Sequence, residues 1–256
     1  MSHLHIPDGV LPLWLVGLGW AVTIVLLAAA LLALRRADRG QLIPQLGIVS
    51  ALLVAAMATE IVPIAYHVNL TVLAGIMLGP PAGPLLAFVV NLVLALFGHG
   101  GLTVVGLNTV IVGTETMLGW ALFRLLSRPL RARVGLAAGL ATVLTLAMTT
   151  TMLVGVVALS GLDPVNARET GALDPSTLSL SNPFAGGLLS NRILTPESED
   201  AQAGGGLSLG RFAIAVYGLG VIGWTIEGTL TGFMVAFVAR VRPGLVLGRR
   251  GVPEWT

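Results

Sequence analysis

A series of long apolar runs constrains this chain more than any other feature. They cover approximately Leu11–Leu34, Ile43–Ile64, Leu70–Leu78, Pro84–Phe97, Thr103–Leu126, Gly135–Leu159 and Phe212–Ala239, and within them only Glu60, Glu115, Arg124 and Glu227 carry charge. About 17–25 apolar residues in a helix cross the hydrocarbon of a bilayer. Lipid offers backbone polar groups no partner, so a spanning chain must be helical or a closed barrel. A barrel would show alternating segments of about ten residues, and these runs do not alternate. Only 10% of the residues are charged, against about 25% in an ordinary soluble domain. The predicted fold class is therefore all-α, an integral membrane bundle of about seven transmembrane helices. The first apolar run has no basic residue before it, unlike a cleaved leader. Cysteine is absent, which excludes disulfides and thiolate chemistry.

The basic residues are all arginines, and they are clustered. Arg35, Arg36 and Arg39 follow the first run, Arg124, Arg128, Arg131 and Arg133 surround the gap between the fifth and sixth, and Arg240, Arg242, Arg249 and Arg250 follow the last. Basic residues favour the cytoplasmic side. All three groups reach that side if the two short runs are separate helices, with Gly79-Pro80-Pro81-Ala82-Gly83-Pro84 as a turn between them. A Pro-rich stretch cannot continue a helix. The expected topology has the N-terminus outside and the C-terminus in the cytoplasm of a cell inner or plasma membrane. Residues 1–256 then form a single transmembrane domain. A polar extracellular loop is expected at about 160–210, with Asp163, Glu169, Asp174, Glu197, Glu199 and Asp200 against Arg168 and Arg192.

The four histidines are His3, His5, His67 and His99, and this topology puts all of them outside. The start, Met1-Ser2-His3-Leu4-His5, offers an amine, backbone amides and imidazoles. A plane of nitrogens suits Ni(II) or Cu(II) better than Mg(II) or Ca(II). If Met1 is kept, Met-Ser-His resembles an amino-terminal chelate. If Met1 is removed, Ser2 supplies the amine and His3 its amide and ring, leaving one nitrogen for His67 or His5. The candidate metal ligands are thus Ser2, His3, His5 and His67. His99, Asn108 and Glu60 are candidates for a surrounding shell. The competing reading is that each histidine is a solvated or helix-capping residue. His99-Gly100-Gly101 reads as a turn, either a plain helix connection or a loop over the metal.

Glu60, Glu115 and Glu227 lie where ionisable groups are costly and turn inward. Taken singly, each reads first as interhelical hydrogen bonding and second as support for the metal site or a partner contact, with Asn91 and Asn108 as expected polar company. The chain has no Walker A sequence and no H-E-x-x-H, so neither ATP hydrolysis by itself nor a zinc protease of that type is expected.

His5-Ile6-Pro7-Asp8-Gly9-Val10-Leu11-Pro12 resembles the N-terminal signature of the CbiM/NikM proteins, the substrate-binding components of energy-coupling-factor transporters for cobalt and nickel. Further matches are Gly79-Pro80 with Gly83-Pro84 and Asn91, Phe97-Gly98-His99-Gly100-Gly101-Leu102-Thr103 with Gly106 and Asn108, and Ile226-Glu227-Gly228 with Thr231-Gly232. The resemblance implies seven helices with an outward N-terminus. It also implies metal binding through the terminal amine, the amide and ring of the second residue, and a later histidine whose place His67 occupies. The implied partners are a coupling membrane protein (the T component) and two ABC ATPases, often with a small accessory membrane subunit, and no nucleic acid. No cofactor is implied, since Ni(II) or Co(II) is cargo.

The chain departs from the family form at its start, where Met1-Ser2-His3-Leu4 precedes His5. Either His3 takes the second-residue role after loss of Met1, which is the preferred arrangement, or His5 binds by its ring alone. The expected function is metal capture for import by a subunit that is not itself an enzyme. The alternative is a metal-dependent membrane hydrolase with Glu60 near His67 as base, and a sensor or scaffold is a third.

Overall fold

A computed structural model describes residues 11–36, 39–58, 60–61, 66–97, 101–130, 133–160 and 209–247. Its helices are α1 (Leu13–Ala33), α2 (Arg39–Ala58), α3 (Thr71–Leu78), α4 (Gly83–Leu96), α5 (Val105–Ser127), α6 (Val134–Leu159), α7 (Leu209–Val241) and the short α8 (Pro243–Leu247). A turn of 3-10 helix, Leu34–Arg36, ends α1. Two two-residue strands, β1 (Glu60–Ile61) and β2 (Tyr66–His67), pair antiparallel between α2 and α3. The all-α expectation holds apart from this pair. The bulk of the expected extracellular loop lies outside the described residues.

The bundle is inverted relative to a water-soluble one. On α1, Leu13, Trp14, Leu18, Ile24, Val25 and Leu31 are exposed, whereas Gly19 and Thr23 are buried. Thr23 Oγ1 donates to the Gly106 carbonyl at 2.6 Å, and Trp20 Nε1 donates to the Thr103 carbonyl at 2.7 Å. An apolar outside over a polar, small-residue inside is what lipid selects, because hydrocarbon gives apolar side chains no reason to cluster. Among the described residues, four helices are long and apolar enough to cross a membrane: Leu13–Ala33, Val105–Ser127, Val134–Leu159 and Val216–Val241.

The two short apolar runs are separate helices, as the Gly/Pro stretch predicts. Gly79 has a φ of 78°, a left-handed conformation that glycine adopts without steric cost. The eight residues of α3 rise only about 12 Å, against a hydrocarbon core of about 30 Å. A correction concerns the second run. Expected to continue to Ile64, its helix stops at Ala58. Pro63 has no N–H, and its ring would collide with the carbonyl of residue 59 in a continuing helix.

Close backbone approach sets the packing. A Cβ on Gly75 of α3 would collide with the Thr116 carbonyl of α5, and one on Gly83 of α4 with the Thr116 hydroxyl. The α6–α7 pair is the most extensive in the bundle. There a Cβ on Gly139 would lie 2.8 Å from the Gly228 carbonyl, and the same distance holds in reverse. One turn away, a Cβ on Gly135 would stand 2.7 Å from the Gly232 carbonyl. Larger residues at these positions would separate the helices.

Candidate functional site

The β1–β2 pair sets Glu60 directly opposite His67 in register. Two of the sequence-derived candidates, 7 positions apart in the chain, thus become backbone neighbours. After β2 the chain stays irregular through Asn69 and Leu70 before α3 starts at Thr71. Leu70 has a φ of 53°, a left-handed conformation that is uncommon for a residue with a Cβ. Asn69, Leu70 and Thr71 are all buried.

This non-helical stretch reaches deep into the bundle. Thr71 meets Glu115, which lies ten positions after the first residue of α5, or about 15 Å along that helix. Non-helical backbone at such depth is tolerated only where protein satisfies it. The Glu227 carboxylate satisfies the backbone, and Glu115 holds the side chains beside it. Glu227 of α7 accepts the Asn69 N–H through Oε1, with a longer contact of 3.4 Å from the Leu70 N–H to Oε2. Among the described contacts, Glu115 of α5 accepts three side-chain donors. Asn69 Nδ2 reaches Oε2 at 2.8 Å, Thr71 Oγ1 reaches Oε2 at 2.7 Å, and Thr149 Oγ1 of α6 reaches Oε1 at 2.8 Å. Both glutamates are 1% exposed. Asn69 therefore touches both carboxylates, one through its backbone and one through its side chain. Its Oδ1 is buried and makes no hydrogen bond among the described residues.

Two helices, α5 and α7, thus hold three consecutive residues that begin two positions after His67, and α6 joins them through Thr149. Interhelical hydrogen bonding, the first reading of each acid taken singly, describes Glu115, which ties α3, α5 and α6. The expected company of Asn91 requires correction. Asn91 Nδ2 donates to the Ala87 carbonyl of its own helix at 2.8 Å, while Asn69, Thr71 and Thr149 serve Glu115. Asn91 is one turn from Ala87 and closes a local bond; it lies on α4, whereas Glu115 packs toward α3 and α6. Asn108 is buried on α5.

Ser2, His3, His5 and His99 lie outside the described residues, and of Glu60 and His67 the backbone is described. Among the described residues, no group of three or more His, Asp or Glu side chains is close enough to hold a metal ion. In the described contacts the glutamate cluster is a frame of hydrogen bonds. Asn69, Thr71 and Thr149 were not singled out from the sequence. One signal pointed to them: a buried carboxyl in an apolar run needs donors, and Asn69 and Thr71 flank the start of the short third run.

The chain matches the family described as "Cobalt uptake substrate-specific transmembrane region" over residues 5–245. It is 34% identical over 142 residues to a putative fused nickel transport protein NikMN of Archaeoglobus fulgidus, an alignment covering 53% of this chain and 47% of that protein. The match thus spans about half of that relative's length. It is 31% identical over 157 residues to a putative metal transport protein of Haloquadratum walsbyi, covering 59% of this chain and 72% of the relative. Among solved structures, a transition metal transporter superposes with a TM-score of 0.67 at 19% identity, over 96% of this chain and 97% of that one. A truncated transition metal transporter gives a TM-score of 0.65 at 19% identity, over 93% and 99% of the two chains. These structural likenesses establish the fold.

Proposed function

This multi-pass membrane protein belongs to the CbiM family of cobalt-uptake substrate-specific transmembrane regions, and from that premise we propose that it captures Ni(II) or Co(II) as the substrate-binding subunit of an energy-coupling-factor importer. The observation that carries this reading is the family match over residues 5–245. The capture site is assigned to the nitrogens of Ser2, His3, His5 and His67, with His99, Asn108 and Glu60 around it. Loss of Met1 frees the Ser2 amine, and His3 closes the chelate. The planar nitrogen set favours Ni(II). Metal binding displaces protons from the donors, so affinity is expected to rise with pH.

In this reading the residues 1–256 act as one transmembrane domain with seven helices, N-terminus outside and C-terminus in the cytoplasm. The 160–210 loop is extracellular. The metal is cargo, the chain has no resident cofactor, and it performs no hydrolysis itself. Energy comes from two ABC ATPases through a coupling membrane protein, with a small accessory membrane subunit in some assemblies.

Uptake of radioactive nickel and cobalt by cells expressing the chain, with and without that module, tests the assignment. Uptake is expected only with the module. Undiminished uptake by the chain alone would contradict the subunit role. Intact mass of the purified protein reports whether Met1 is removed.

A further inference from the structure

The frame around Asn69–Thr71 has a consequence for the metal site. We infer that Glu115 and Glu227 are positioning residues for the metal donor at His67, acting through the three residues that follow it. The inference rests on the reading of His67 as a metal ligand.

Three observations carry it. First, the two glutamates come from α5 and α7, yet both hold the segment that begins two positions beyond His67. Asn69 gives its backbone N–H to Glu227 and its side-chain amide to Glu115, so its position and its side-chain direction are both fixed. Second, Leu70 holds a left-handed φ of 53°. A residue with a Cβ persists there only where its surroundings over-determine it. Third, the two helices are themselves locked. The residue after Glu227 is Gly228, which meets Gly139 of α6 backbone to backbone, and the residue after Glu115 is Thr116, against which Gly75 and Gly83 close. The carboxylates are therefore carried on helices packed in direct backbone contact with their neighbours.

A planar nitrogen site tolerates little misplacement of its last donor, because geometry selects the metal. Side chains that orient a ligand without touching the metal commonly tune affinity about 10–100-fold. Glu227→Gln would turn an amide NH2 group toward a backbone N–H. Glu115→Gln would replace one acceptor oxygen with a donor where hydroxyls and an amide already donate.

The test is Ni(II) titration of the purified full chain in detergent, read by affinity and by the absorption spectrum of the bound metal, for wild type, Glu115→Gln, Glu227→Gln and His67→Ala. Both glutamine variants are expected to bind Ni(II) at least about ten-fold more weakly, with a shifted metal absorption band. A role confined to general stability would leave that band in place. Where Glu115→Gln fails to fold, Thr149→Val and Thr71→Val replace it, each removing a single donor to Glu115, and where Glu227→Gln fails to fold, Glu227→Asp replaces it by drawing the carboxylate back from the Asn69 N–H; each is expected to weaken binding by less than the glutamine variants. Thr142→Val is the control, since Thr142 bonds only within its own helix in the described contacts, to the Ala138 carbonyl. Unchanged affinity and spectrum in the folded glutamate or threonine variants, with binding lost in His67→Ala, would overturn the positioning role alone. Full binding by His67→Ala would remove the ligand reading and this inference with it.

Discussion

The α6–α7 pair and the β2–α3 connection solve one problem in opposite ways. In α6 and α7 the backbone satisfies its own hydrogen bonds, so the helices need only room to approach, and Gly135, Gly139, Gly228 and Gly232 supply it. In the β2–α3 connection the backbone leaves the helix at depth, so its amides need outside acceptors. Glu227 supplies them, and Glu115 holds the side chains of Asn69 and Thr71, at the price of two buried carboxylates. Rigid regular packing therefore uses the smallest side chains, and irregular backbone uses the most polar ones. The histidine assigned to the metal sits beside the irregular region, where a ligand can be presented inside the bundle rather than on its surface.

Substitutions can break each half of this contrast. The largest loss is expected from Gly139→Leu or Gly228→Leu, which forces apart helices whose backbones touch. Overpacking of this kind costs about 3 kcal/mol or more, and thermal unfolding in detergent should show a large fall in midpoint. Glu227→Ala comes next, since it strips the acceptor from the Asn69 and Leu70 amides. An unsatisfied buried group costs about 1–3 kcal/mol, so the same assay should register a clear but smaller drop. Thr149→Val removes one donor from Glu115 and should cost about 1 kcal/mol. Thr142→Val removes only a bond to its own helix and should change stability by about 0.5 kcal/mol or less. Were Gly139→Leu milder than Thr149→Val, the view of α6–α7 as the rigid half would be wrong.

Much of the architecture was legible in the sequence because lipid imposes a simple rule on long apolar runs. The separation of α3 from α4 followed from Gly79 through Pro84. The early stop of α2 was also readable, from Pro63, but the apolar character of Ile61, Val62 and Ile64 masked it. The candidate site was harder. Glu115 and Glu227 stood out as charges in apolar runs, but their donors did not, because Asn69 and Thr71 reach them from the start of α3 and Thr149 from the middle of α6. A left-handed Leu70 leaves no mark in the sequence. The pairing of Glu60 with His67 depends on a hairpin of two residues per strand, too short to show a strand pattern.

Ni(II) titration of the purified chain tests the central claim most directly, that His67 completes a planar nitrogen site next to the carboxylate-held segment. Wild type is expected to bind one Ni(II) with the absorption of a planar four-nitrogen complex, and His67→Ala to lose that band and most of its affinity. A bound nickel with an oxygen-rich six-coordinate spectrum, unchanged in His67→Ala, would contradict it.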